Sequence, residues 1–193
     1  MKSLINKFLY SRFYQRYIFP FILWMENPFV ETFNAKDVLQ VRSALTQDGM
    51  LIFGNKKGTL MGLCVPGEYS HVGVYDRRLG LIYEMVSSGF QTTTVASFVT
   101  RYSSVAVTRC SGFTSAYAFK FIRNIMVYKG VPYDSAFNFS VESLYCSELV
   151  YRADVNHVIK CSTEDLLGLG KKYISPMGIF NAANMLLVLK VDK

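Results

Sequence analysis

Hydrophobic positions in this 193-residue chain recur with two periods, one helical and one extended. Cys146, Leu149, Val150 and Ala153 fall at i, i+3, i+4 and i+7, which predicts a helix beginning at or near the cysteine and burying that stripe. Residues 35–45, AKDVLQVRSAL, carry a shorter one-sided stripe of Val38, Leu39, Val41, Ala44 and Leu45 and predict a short helix. Residues 115–130, SAYAFKFIRNIMVYKG, are apolar nearly all round and predict a buried helix ended by Gly130 and Pro132. The extended runs are MLIFG (50–54), YSHVGVY (69–75), LIYEMV (81–86), SVAVTR (104–109) and MLLVLKV (185–191). The second and third of these flank DRRLG and predict a hairpin. A four-residue loop DRRL would set Tyr75 opposite Gly80 and His71 directly opposite Glu84, on one face of the sheet. A one-residue slip would turn Glu84 to the other face.

The length suits one domain with an appended arm, and 51% hydrophobic content is ample for a packed core. We expect an arm over residues 1–34 and a folded domain over 35–193. Twenty-one lysines and arginines against 14 acids favour anionic partners such as phosphates, acidic lipids or a cell-wall polymer. The cations are scattered and no helix carries a basic recognition stripe, so nucleic acid is not expected. Cys64, Cys110, Cys146 and Cys161 are widely spaced with no CxxC pair, which reads as reduced thiols in a reducing, cytoplasmic compartment. His157 and Cys161 are the only close pair of metal-ligand type; on a helix they would share a face. Two ligands do not make a site, and no metal or cofactor is expected.

The longest apolar run in the arm, YIFPFILWM (17–25), is too short to span a bilayer. Pro20 interrupts it, and ENPFVE offers no small-residue cleavage site, which argues against a signal peptide. At 100° per residue Arg12 and Arg16 share a face with Ile5, Phe8 and Leu9, spoiling a clean amphipathic pattern. Peripheral membrane contact through residues 1–30 and packing of the arm on its own domain are both open.

A thiol attacks as its thiolate, so a nucleophilic cysteine needs a helix N-terminus, a neighbouring imidazole, or both. Cys146 has the first by position; a merely packed cysteine on an apolar stripe is the alternative. Of the two histidines, His71 lies within a strand that fixes its direction, whereas His157 lies beyond the far end of the Cys146 helix. Glu84, an acid in an apolar strand, needs an exposed face or a partner, either His71 or a basic residue. Cys146 and Arg152 also make Cys-x5-Arg, the spacing of phosphate-cradling thiol loops. The intervening SELVY lacks the small residues such a cradle needs.

The ordered motifs YSHVGVY, IYEM, PYDSAFNF and LYCSELVY resemble the permuted papain-like cysteine hydrolases of the NlpC superfamily, in the YiiX/YebB-like branch, from about Asp48 to Val155. The resemblance implies an α+β, permuted papain-like (NlpC-type) fold, a small antiparallel sheet packed against helices that include a cysteine-bearing one. It implies Cys146 as nucleophile, His71 as general base and Glu84 as the residue that orients it, with Tyr133 and Asp134 lining the site or holding the loop before the helix. The expected activity is thiol-dependent hydrolysis of a peptide or amide, of cell-wall type, through a cysteinyl thioester. Two departures stand out: DGMLIF replaces the usual Gly-Asp opening, and the arm is not covered. A lipid acyltransferase or thioesterase of the same fold is an alternative, although such relatives carry asparagine before the cysteine where this chain has Tyr145. A non-catalytic membrane-surface module is another.

Overall fold

The structure is a computed structural model that describes residues 7–8, 11–19, 21, 33–56, 67–165 and 170–193. Cys64 and most of the arm, including Pro20 and ENPFVE, lie outside the described residues. After a π-helical turn at Tyr14–Ile18, the elements are α1 (Ala35–Ala44), β1 (Leu51–Asn55), β2 (His71–Asp76), β3 (Leu81–Val86), β4 (Gly89–Thr94), α2 (Val95–Val99), β5 (Ser104–Cys110), α3 (Ser115–Met126), α4 (Cys146–Ala153), β6 (Glu164–Asp165), β7 (Lys172–Tyr173), α5 (Pro176–Phe180) and β8 (Met185–Asp192). Six strands form one antiparallel sheet in the order β4-β3-β2-β1-β5-β8.

The sheet is covered on both faces, which explains why its central strands read as continuous apolar runs rather than as strict alternation. Leu51, Phe53, Val72, Val74, Tyr83 and Met85 point to a core shared with Phe121 of α3, Leu149 of α4 and Ile179 of α5. Ile52, Tyr75, Ile82, Val105 and Val107 point the other way, to Val41 of α1 and Phe98 of α2. The edge strands are more polar or more exposed: β4 carries GFQTTT, and β8 leaves Leu187 exposed. Neither β4 nor α2 was expected from the hydrophobic pattern. The start of α2 is nonetheless written locally, since the Thr94 hydroxyl accepts from Ser97 N–H as an N-cap.

Two expectations are corrected. Helix α3 is shorter than residues 115–130 and is not buried all round: Ala118, Phe121, Ile122 and Ile125 face the core, while Phe119 and Met126 are exposed. The β2–β3 hairpin pairs Asp76 with Leu81 and Gly73 with Glu84, so its loop is RRLG rather than DRRL, and Glu84 is not directly opposite His71. Asp76 causes the shift. Its buried carboxylate closes the turn by accepting from Arg78 N–H, Leu79 N–H and the Tyr83 hydroxyl, so it belongs to the strand end. Gly80, at φ 67°, takes the left-handed position that finishes the turn. Because the displacement is two residues, parity is kept, and Glu84 stays on the face of His71 as a diagonal neighbour within reach of long side chains.

Candidate active site

Helix α4 begins at Cys146 because Tyr145 is extended, at φ −102° and ψ 171°, and its side chain makes no capping hydrogen bond. The first N–H groups of the helix are therefore left for the thiol. The buried apolar stripe Leu149, Val150 and Ala153 seats the helix on the face of the sheet carrying Val72 and Val74. His71 is the first residue of β2 and meets the helix at the end of the sheet, where the Cys146 thiol hydrogen-bonds to its ring.

The second ring contact runs to Glu84. His71 Nε2 lies 2.8 Å from Glu84 Oε2, which leaves Nδ1 for the sulfur. Glu84 is 1% exposed and also accepts from Arg101 Nη2 at 2.6 and 2.8 Å. Both partners left open for this acid are thus present. Arg101 was not foreseen; it follows α2, and only the need of a buried carboxylate for cations pointed toward it. Its guanidinium lies over the rings of Phe98 and Tyr102, and the same two rings pack against the imidazole, with centroids 5.8 and 6.0 Å away.

These contacts set the protonation states. Burial alone would lower the pKa of His71, but the Cys146 charge and hydrogen bond, joined by Glu84, raise it from 6.5 to about 9. Burial would raise the Cys146 thiol, and the His71 charge and hydrogen bond, with the N–H groups of Val72 and Ser147, hold it below the ordinary value. Burial would likewise raise Glu84, and His71 and Arg101 hold it down. The site therefore favours a thiolate–imidazolium pair braced by a carboxylate. Glu148, on the same helix, is pushed by burial up to about 8, against the pull of Arg152, so near neutral pH it adds little negative charge against the thiolate. Its Oε1 accepts from Arg152 Nε at 2.7 Å within the helix, so the Cys-x5-Arg stretch is helical and not an anion cradle.

The loop before the helix is fixed by Asp134, whose buried carboxylate accepts from the N–H groups of Ala136 and Asn138. Of the two roles open for Asp134, that of loop brace matches its contacts. A parallel bridge between Tyr133 and Leu144 brings Tyr133 toward the helix start, and Tyr133 feels the Cys146 charge. His157 and Cys161 do not share a helix face, because α4 ends at Ala153; the His157 ring packs on Tyr151 at 4.8 Å.

Two side chains support the site from behind. Gly54 pairs with His71 across β1 and β2, and a Cβ there would come within 2.5 Å of the Tyr102 ring. Gly54→Ala is therefore expected to displace Tyr102, cost about 1–3 kcal/mol in denaturant unfolding, and slow alkylation of Cys146; unchanged values would show that this ring does not hold the imidazole. Tyr145 is fully buried, stacked on Tyr173, and its hydroxyl accepts from Ile174 N–H at 3.0 Å. Tyr145→Phe leaves that donor unmatched, so a loss of about 1–3 kcal/mol in urea unfolding is expected, with alkylation of Cys146 preserved.

A solved structure described as that of metalloprotein yiiX from Escherichia coli O157:H7 has the same fold at TM-score 0.65 and 22% identity, covering 76% of this chain and 98% of that one. In this chain one imidazole nitrogen is engaged by Glu84 and the other by the thiol. Among the described residues no three of His, Cys, Asp and Glu group as metal ligands would, so the donors at this site do not fit a metal centre. No curated protein matches the chain in sequence. Residues 45–176, more than half of the chain, match the family described as permuted papain-like amidase enzyme, YaeF/YiiX, C92 family, and the chain belongs to that family.

Proposed function

We propose that this protein is a cysteine hydrolase that cleaves an amide or peptide bond through a Cys146 thioester. The convergence of the thiol, His71 and Glu84 carries this reading, with the amidase family as its background. The thiolate attacks the acyl carbon, and the oxyanion that forms is met by the Cys146 N–H at the start of α4. The His71 imidazolium gives its proton to the departing amine as the C–N bond breaks. The neutral imidazole then takes a proton from water, which attacks the thioester and restores the thiol site. Glu84 holds the ring and stabilises its charge. The excess of basic residues suits a peptide with an anionic residue, as in cell-wall stem peptides, and the order His, Glu, Cys along the chain is that of the permuted NlpC-type hydrolases.

The pH profile tests this mechanism. Catalysis requires Cys146 ionised and His71 protonated, so kcat/KM for an amide substrate is expected to be bell-shaped. Its acid limb should lie below the ordinary thiol value, and its alkaline limb near pH 9 as His71 loses its proton. Hydrolysis retained by Cys146→Ala, or a profile that only rises to the ordinary thiol value, would overturn it.

A further inference from the structure

The first 25 residues contain four cations, Lys2, Lys7, Arg12 and Arg16, and no acid. Where this stretch is described it is two-sided, and the π-helical turn at Tyr14–Ile18 makes it so. In that wider turn Phe19 N–H reaches the carbonyl of Tyr14, five residues back, and positions five apart come to one side. Tyr14 and Phe19 are accordingly both buried, with ring centroids 6.1 Å apart, and Phe19 stacks on Tyr133 at 5.7 Å and 23°. The outward side mixes rings and charges. Phe13 and Tyr17 are each 57% exposed with centroids 5.6 Å apart, Phe21 is exposed, and exposed Arg12 and Arg16 lie beside them, the Arg16 guanidinium 5.8 Å from the Tyr17 ring.

A regular 100° spacing would mingle these arginines with inward apolar positions; the wide turn instead sends rings and guanidinium groups out together. Large aromatic rings on an exposed surface cost free energy in water, and a cation-only patch would need none of them. Rings that enter the boundary between headgroups and acyl chains, with arginines reaching phosphates at the same depth, are the signature of an interfacial element. Among the described residues no helix is long and apolar enough to cross a membrane.

We propose that residues 12–19 together with Phe21 form a peripheral docking element for anionic lipid bilayers, and that the Phe19–Tyr133 stack holds the Cys146 site beside the docked surface. Charge complementarity selects the lipid: a segment without acids meets phosphatidylserine-type headgroups, to which each arginine adds attraction. The proposal does not depend on the hydrolase reading, and its test reads binding alone.

The test uses the full chain with phosphatidylcholine vesicles, with and without phosphatidylserine, and follows co-sedimentation. The single tryptophan, Trp24, lies just beyond the element in sequence and reports contact with brominated acyl chains. The expected result is sedimentation with the anionic vesicles only, Trp24 quenching by the brominated lipid, and at least a tenfold loss of affinity in both Arg12→Glu/Arg16→Glu and Phe13→Ser/Tyr17→Ser, with thermal unfolding confirming that each variant is folded. Absence of sedimentation overturns the proposal, as does binding that both variants retain. Binding that Phe13→Ser/Tyr17→Ser retains and single-stranded RNA competes away also overturns it, identifying a general anion patch. If a variant does not fold, wild-type Trp24 decides: quenching by soluble iodide but not by brominated lipid in the vesicle-bound state overturns the proposal.

Discussion

Replacing His71 by alanine is expected to slow alkylation of Cys146 at pH 6 by about tenfold or more and to lower kcat/KM by roughly a thousandfold. Two effects oppose each other in the first number. Loss of the imidazolium returns a buried thiol toward or above its ordinary pKa, so the thiolate fraction at pH 6 falls. The thiolate that remains is more basic and more nucleophilic, which recovers part of the rate. Burial is what keeps the net effect large: it pushes the thiol up, and His71 is the leading influence against it. Hydrolysis should suffer more than alkylation because in the proposed mechanism the same ring delivers the proton to the leaving amine. The check is alkylation rate against pH for both proteins. An acid limb at the ordinary thiol value in the wild type, unmoved by His71→Ala, would end the reading of Cys146 as an activated nucleophile.

Glu84 should show a double penalty that separates its structural and electrostatic work. Glu84→Ala removes the shared acceptor of His71 and Arg101 from a site 1% exposed. Breaking a buried ion pair from one side costs about 3–5 kcal/mol, and the lower end applies here because the Arg101 side chain is 40% exposed and can rehydrate. Glu84→Gln keeps the shape and an acceptor, so about half of that stability should return while kcat/KM stays down roughly a thousandfold, since the imidazolium has lost its counter-charge. Urea unfolding and steady-state kinetics on the two variants measure both parts. If Glu84→Gln restores activity along with stability, the carboxylate is a brace and not an electrostatic partner.

Much of this arrangement was legible along the chain. The stripe from Cys146 to Ala153 gave α4 its start and its buried face, and the alternation in β2 and β3 placed His71 and Glu84 on one side of the sheet. The exact pairing was not legible, because it depends on Asp76 using its side chain to close the turn, a choice between two equally long loops. Parity kept the two side chains on one face: a displacement of two moves Glu84 along the strand but not through the sheet. Arg101 was hidden for a different reason. It follows a five-residue helix after an edge strand of threonines, a segment with no apolar period, and its meeting with Glu84 is a tertiary event. The two-sidedness of the described residues around Tyr14–Ile18 was missed because a regular helix was assumed where a wider turn occurs.

The thiol comes from a helix on one face of the sheet, while the ring proposed to activate it belongs to a strand end packed by residues of the other face. On this proposal reactivity is a property of the finished molecule. A chain still emerging from the ribosome, or held partly open by a chaperone, carries only an ordinary sulfhydryl, and cellular electrophiles find no special target until both layers have closed on the sheet.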